Sequence, residues 1–152
     1  MIRKIEDKQE KTAIARAVLE ALPDWFGVPE AREQYIRECA DWFMFADVEN
    51  SQTVGFLCLK ETGKTTMELA LMGVLQPYHR QGIGRALFAE AKETAQELGY
   101  HFMQVKTVQM GHYEDYDRTN LFYRSLGFEE FEVFPTYWDE ANPCQIYVMA
   151  LK

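Results

Sequence analysis

Polar and apolar positions repeat along the chain with two periods, and each change of period marks a predicted element. Apolar side chains four residues apart at Ile14, Val18 and Leu22 predict a first helix. This helix covers residues 7–22 and ends at the proline that follows. A second helix is predicted over residues 29–40, because the proline at its first position is tolerated there.

Seven strands are predicted where apolar residues alternate or run together between turn residues. Turns are expected at residues 50–52 and 62–64. The predicted strands cover residues 1–6, 42–49, 53–61, 65–75, 100–108, 128–134 and 144–151. Residues 135–144 are predicted to be a long connection between the last two strands.

Two further helices are predicted, the longer of which follows a glycine-containing turn. The longer one ends at Gly99, and a shorter one over residues 115–126 ends at Gly127. The apolar face of the longer helix comprises Ile83, Leu87, Ala91, Ala95 and Leu98. A strand-helix-strand unit in a chain otherwise rich in hairpins predicts an α/β protein with a mixed sheet. The length and the lack of an internal repeat favour a single domain, residues 1–152.

Composition narrows the class of protein. Sixteen basic and twenty-four acidic residues give a net charge of −8 without a basic stripe, so a nucleic-acid partner is not expected. No apolar run is long enough to cross a membrane, and the charged start does not resemble a signal peptide. We therefore expect a cytoplasmic protein that does not bind membranes.

The cysteines and histidines predict neither disulfides nor a metal site. Cys39, Cys58 and Cys144 are widely spaced and odd in number, which fits a reducing compartment. The three histidines do not lie at zinc-ligand spacings with any cysteine pair.

The stretch "RQGIGR", residues 80–85, joins an apolar strand to a helix through two glycines. A helix N-terminus presents unbonded N–H groups and the positive end of the helix dipole, which together attract anions. Glycine lets the backbone approach a phosphate closely, and Arg80 and Arg85 add positive charge. The turn therefore predicts a pyrophosphate-binding site.

Two other phosphate-binding motifs fit less well. A dinucleotide-binding fingerprint needs a third glycine where Leu87 stands and an acidic residue near Phe102. A P-loop would match "TGKTT" at residues 62–66, but Cys58 occupies the place of its first glycine. A nucleotide-binding domain of another family is therefore the weaker alternative.

The stretches "ELALMGVLQPYHRQGIGRAL" and "NLFYRSLGF" resemble the GNAT superfamily of acetyl-CoA-dependent N-acetyltransferases. Its motif [RQ]-x-x-G-x-[GA] follows the fourth strand, and a later "FYxxxGF" is found here from Phe122 to Phe128. This chain departs from the pattern at His79, where Arg or Gln is usual. It also has Tyr116 where many members carry a cofactor-contacting Asn, and Asn120 is out of register for that role.

The resemblance implies a central mixed, mostly antiparallel sheet of about seven strands flanked by four helices. It also implies acetyl-CoA as co-substrate, no metal, and a pyrophosphate held by the amides of the turn. The residues expected to contact acetyl-CoA are Val74, Leu75, His79, Arg80, Gln81, Gly82, Ile83, Gly84 and Arg85. Many family members are dimers, so a homodimer is compatible with the resemblance.

Two catalytic residues are implied by position. Glu68 is the only charge within "MELALMGVL". By resemblance it matches the catalytic glutamate of histone-acetylating members, which makes it the candidate base. Its alternative role is an ion pair with Lys64 or another lysine. Tyr123 matches the tyrosine that faces the thioester sulfur, and its alternative role is that of a packed aromatic. A backbone N–H near Val74 or Leu75 would stabilise the oxyanion.

The acceptor-binding residues are expected in two segments, residues 23–27 and 135–144. Their aromatic residues are Trp25, Phe26, Tyr137 and Trp138. Carboxylates beside these rings would suit a cationic amine, whereas the alternative is that the rings fill a small core.

The predicted function is transfer of an acetyl group from acetyl-CoA to a primary amine of a small, cationic molecule by direct attack in a ternary complex. A non-catalytic acyl-CoA-binding regulatory module and acetylation of a protein amine are the alternatives.

Overall fold

A computed structural model describes all residues from 1 to 152 and shows a seven-stranded mixed sheet with four α-helices. The strands are β1 (Ile2–Ile5), β2 (Phe43–Glu49), β3 (Gln52–Gly63), β4 (Thr66–Val74), β5 (Phe102–Val108), β6 (Glu129–Asp139) and β7 (Asn142–Ala150). The helices are α1 (Lys8–Glu20), α2 (Pro29–Glu38), α3 (Ile83–Glu97) and α4 (Glu114–Ser125). The predicted mixed α/β fold is confirmed.

The strand order in the sheet is β1-β2-β3-β4-β5-β7-β6. Strands β4 and β5 are parallel, whereas β1 with β2, β2 with β3, β5 with β7 and β6 with β7 are antiparallel. No helix combines the length and the apolar character that crossing a membrane requires. The chain forms two compact units, one of residues 1–60 with 70–95 and one of residues 61–69 with 96–152.

The core of the first unit lies between α1, α2 and the strands. Helix α1 begins where the Asp7 carboxylate accepts a hydrogen bond from the Glu10 N–H at 2.8 Å. Its predicted apolar face is buried, with Val18 and Leu22 at most 2% exposed. Strands β2 and β3 are joined by Asn50 and Ser51, which both have positive φ, as a tight hairpin turn requires.

The second unit contains β5, β6, β7 and α4. Asn120 on α4 is fully buried, and its Nδ2 donates to the Val108 carbonyl at 2.9 Å and to the Tyr116 carbonyl at 2.7 Å. Its Oδ1 accepts from the Tyr147 hydroxyl at 2.6 Å, and Arg124 Nε donates to that hydroxyl at 3.1 Å. Asn120 therefore fixes α4 to β5 and β7, which is a structural role.

We expect Asn120→Ala to lower the free energy of unfolding by about 3 kcal/mol, because it removes the three hydrogen bonds of a fully buried side chain. Urea unfolding measures the effect. The control is Asn142→Ala, which removes a hydrogen bond with Asp139 at the exposed end of a hairpin. Equal losses in the two variants would contradict the role given to Asn120.

The predicted long connection at residues 135–144 is wrong. Strand β6 continues to Asp139, and only residues 140 and 141 separate it from β7. The extension is possible because β6 is the last strand of the sheet, where a proline such as Pro135 is tolerated. Phe134 pairs with Cys144 and Asp139 with Asn142, so the residues between them on β6 outnumber those on β7 and form a bulge.

Several element boundaries differ from the prediction by a few residues, including those of β3 and α3. The turn after β3 lies at residues 64 and 65 rather than 62–64, because β3 continues through Gly63. Helix α3 ends at Glu97, so Leu98 is 53% exposed, and Phe88 is buried in addition to Leu87.

Candidate active site

The glycine turn precedes α3 and leaves the start of that helix accessible. Gly82 has a φ of 80°, and its carbonyl accepts the first intrahelical hydrogen bond, from the Ala86 N–H at 3.0 Å. A Cβ added at Gly82 would meet no atom within 4 Å, so the backbone faces open space there. An anion can therefore approach the first N–H groups of α3 without a side chain in the way.

Local hydrogen bonds hold the turn in shape. His79 donates through its Nε2–H to the Val74 carbonyl at 2.5 Å, since a carbonyl oxygen only accepts. The Gln81 side chain donates to the Pro77 carbonyl at 3.1 Å. Arg80 has a φ of 63°, a region that costs a residue other than glycine some strain. His79 and Gln81 thus fix the turn through these bonds to the preceding segment.

Close packing brings the start of α3 against β3. A Cβ at Gly55 would lie 3.1 Å from Val74 Cγ2 and 3.3 Å from Ile83 Cγ2, so a larger residue would push these side chains away. A cleft of about 400 Å³ opens beside the turn. It is lined by Asp47, Glu49, Asn50, Tyr78, Gln81, Gly82, Ile83 and Ala86.

One of the two amides expected to serve the oxyanion already has an acceptor. The Leu75 N–H donates to the Val54 carbonyl at 2.9 Å. Successive amides of a strand point to opposite edges, so the Val74 N–H is on the other edge of β4. The residue pairs between β4 and β5 end at Leu69 and Val105, before β4 reaches Val74. Val74 is therefore the stronger oxyanion candidate.

Glu68 forms an ion pair in the second unit. Its Oε1 accepts from Lys106 Nζ at 2.9 Å, and the two side chains are only 14% and 17% exposed. Lys106 Nζ also lies 5.9 Å from the centre of the Tyr137 ring. The structure thus joins the candidate base and one candidate acceptor aromatic through a lysine that sequence reasoning did not single out.

The sequence did contain a signal for Lys106. It is the only charge in β5, as Glu68 is in β4. The parallel register places Glu68 opposite Gln104, and alternation puts Lys106 on the same face as Gln104. This register could not be read from the local pattern.

Tyr123 lies on α4 and is 8% exposed. Its ring contacts the rings of Phe122, Phe128 and Tyr147, with centroids 5.8 to 6.3 Å apart. The Tyr123 ring is therefore packed among three other aromatic rings. Tyr116, which stands where many GNAT members have Asn, is half-buried, and burial raises the pKa of its hydroxyl.

The four candidate acceptor aromatics lie in different surroundings. Trp25 and Phe26 pack against the core of the first unit, and Trp25 also contacts the His79 ring edge-on at 5.7 Å. Tyr137 and Trp138 lie on β6, 58% and 42% exposed, with ring centroids 5.8 Å apart. Trp25 and Phe26 are thus partly buried at the edge of the core, whereas Tyr137 and Trp138 are more exposed.

The glycine turn before α3 and the buried tyrosine on α4 can now be compared with known proteins. The family model for the acetyltransferase (GNAT) domain matches residues 40–130. The chain therefore belongs to the GNAT acetyltransferase family and is an acetyl-CoA-dependent N-acetyltransferase. No curated protein sequence matches it.

Solved structures share the fold over nearly the whole chain. A Desulfovibrio desulfuricans protein assigned to the GNAT acetyltransferases has a TM-score of 0.87 at 20% identity, covering 100% of this chain and 99% of that one. An aminoglycoside 6'-N-acetyltransferase complexed with coenzyme A has a TM-score of 0.77 at 16% identity, covering 100% of this chain and 97% of that one. The ribosomal-protein-S18-alanine N-acetyltransferase of Escherichia coli has a TM-score of 0.79 at 17% identity, covering 100% of this chain and 95% of that one.

Proposed function

We propose that this N-acetyltransferase acts on the primary amine of a small molecule and binds the acetyl-CoA pyrophosphate at the turn around Gly82. The accessible backbone at Gly82, at the N-terminus of α3, is the observation that carries the proposal. A structurally similar aminoglycoside acetyltransferase was solved with coenzyme A, which supports the same kind of ligand here.

Each proposed catalytic group has one task in a direct transfer. The nitrogen lone pair of the neutral amine attacks the thioester carbonyl carbon, the C–N bond forms, and the C–S bond breaks. Before the attack, Glu68 takes one proton from the ammonium form of the acceptor and passes it to solvent; Lys106 donates a hydrogen bond to Oε1, so Oε2 is the oxygen for this proton. Tyr123 gives its hydroxyl proton to the leaving thiolate, and the second proton, which the nitrogen loses as the amide forms, returns to Tyr123 through solvent.

The acceptor enters as an ammonium ion, which a site with a carboxylate and exposed aromatic rings suits. Glu68 supplies the carboxylate, and Tyr137 and Trp138 supply the rings. Asp139 and Glu140 follow these rings at the end of β6 and add negative charge. We therefore keep a cationic amine as the proposed acceptor class.

Acetyl-CoA is expected to raise the melting temperature, with ATP and NAD as controls that do not. Binding to the native state adds about 2.7 kcal/mol of stability at ~100-fold excess over Kd. A panel of primary amines is then screened for release of CoA. Acetyl-CoA binding without release for any amine would favour the non-catalytic module, and a shift with ATP alone would contradict the assignment of the turn.

Released CoA can be measured with a thiol reagent, because the protein's own thiols are inaccessible. Cys39, Cys58 and Cys144 are all buried, and burial raises the pKa of Cys39 and of Cys144 to about 11. Such thiols react slowly near neutral pH. The signal therefore reports on the acetyl transfer.

A further inference from the structure

We propose that Lys106 is a specificity-determining residue, and that it binds a carboxylate carried by the acceptor beside its primary amine, as in an α-amino acid. In this arrangement the acceptor ammonium faces Glu68 and its carboxylate faces Lys106. The inference rests on the proposed function, since it names the acceptor class of the same site.

The first argument is the arrangement of the ion pair. Lys106 Nζ and Glu68 Oε1 are 2.9 Å apart, and each side chain keeps 14% to 17% of its surface accessible. An α-amino acid carries its two charges on groups attached to one carbon atom, so they are also close together. Its ammonium and carboxylate can therefore each contact one member of the pair.

The second argument is charge. A site that attracted only an ammonium ion would gain nothing from a lysine next to its base, because the two cations repel each other. A carboxylate on the acceptor converts this repulsion into an attraction. An ammonium group has three N–H donors, and the bond to Glu68 uses one of those on Lys106.

The third argument is the surroundings of the pair. The Tyr137 ring lies 5.9 Å from Lys106 Nζ and is 58% exposed, so it borders the pair and also reaches solvent. Gln104, next on the same face of β5, donates to the Thr62 hydroxyl at 2.8 Å. Cys144 is close enough for both charges to affect its thiol pKa, but it is fully buried. An acceptor side chain would thus meet Tyr137.

The test compares each common L-α-amino acid with its C-terminal amide, which keeps the amine but lacks the carboxylate. We measure kcat/KM for both and take their ratio in the wild type, Lys106→Met, Lys106→Arg and the control Lys64→Met, which alters an exposed lysine. For the best acceptor we expect the acid-to-amide ratio to fall about tenfold or more in Lys106→Met only. A ratio that does not change in Lys106→Met would overturn the inference.

Folding of the variants is checked by melting temperature. If Lys106→Met unfolds, it is replaced by Lys106→Gln, whose side-chain amide can still donate a hydrogen bond to Glu68.

Acetylation of amines without a carboxylate, but of no amino acid, would refute this inference and leave the proposed function intact. If no amine is acetylated, the proposed function fails, and calorimetry with the same amino acids and amides in the presence of CoA decides the inference. Equal affinity for acid and amide would then overturn it, whereas tighter binding of the acid that is lost in Lys106→Met would support it.

Discussion

The Glu68→Gln variant is expected to lose about 10²- to 10⁴-fold in kcat/KM at neutral pH, the range ascribed to a positioned general base. The amide cannot take the proton that the amine must lose, although it still fits beside Lys106. Steady-state CoA release with the best amine measures the loss. The Kd for acetyl-CoA should be unchanged, because Glu68 is not part of the turn.

The pH dependence provides an independent readout for Glu68. A free alkylammonium has a pKa of about 10, so solvent alone deprotonates more of the acceptor as the pH rises. The difference between wild type and Glu68→Gln should therefore shrink towards high pH. Glu129→Gln, at an exposed position of β6, is the matched control. If Glu68→Gln were as active as Glu129→Gln at pH 7, another group would have to be the base.

The Gly82→Val variant is expected to weaken acetyl-CoA binding about 100-fold or more. A β-branched residue is strained at a φ of 80°, and its side chain would occupy the open space that the phosphate needs. The loss of charge-assisted hydrogen bonds from the turn amides to the phosphate, each worth about 1.5 to 3 kcal/mol, accounts for an effect of this size. Titration calorimetry with acetyl-CoA measures it.

Gly99→Val is a closely matched control for this variant. Gly99 has a φ of 87°, no atom lies within 4 Å of its added Cβ, and it follows the other end of α3. Both variants should therefore lose similar stability, but only Gly82→Val should lose acetyl-CoA affinity. Similar affinities in the two would mean that the pyrophosphate binds elsewhere.

The parts of the site that the sequence predicted are those set by local structure. The turn around Gly82 follows from a strand, two glycines and a helix, all within a short stretch of chain. The same holds for the hairpin turn at Asn50 and Ser51, where both residues adopt positive φ. Such features depend on neighbouring residues, so the pattern of residue types was sufficient.

The parts that the sequence did not predict depend on pairing between distant segments. Lys106 meets Glu68 only through the register of β4 against β5, and Asn120 finds its partners on two other strands. The extension of β6 through Pro135 depends on the position of β6 as the last strand of the sheet. None of these relationships is encoded in a local period.

Strand β6 lies at the edge of the sheet, and its charges bear on how the protein avoids aggregation. An unpaired sheet edge invites strands of other molecules, above all when it exposes apolar residues such as Phe131, which is 63% exposed. Along β6, Phe131 is preceded by Glu129 and Glu130 and followed by Glu132. Like charges on approaching copies repel, so these carboxylates protect the edge against fibril-like assembly. Part of the net charge of −8 therefore acts as a local safeguard of the native fold.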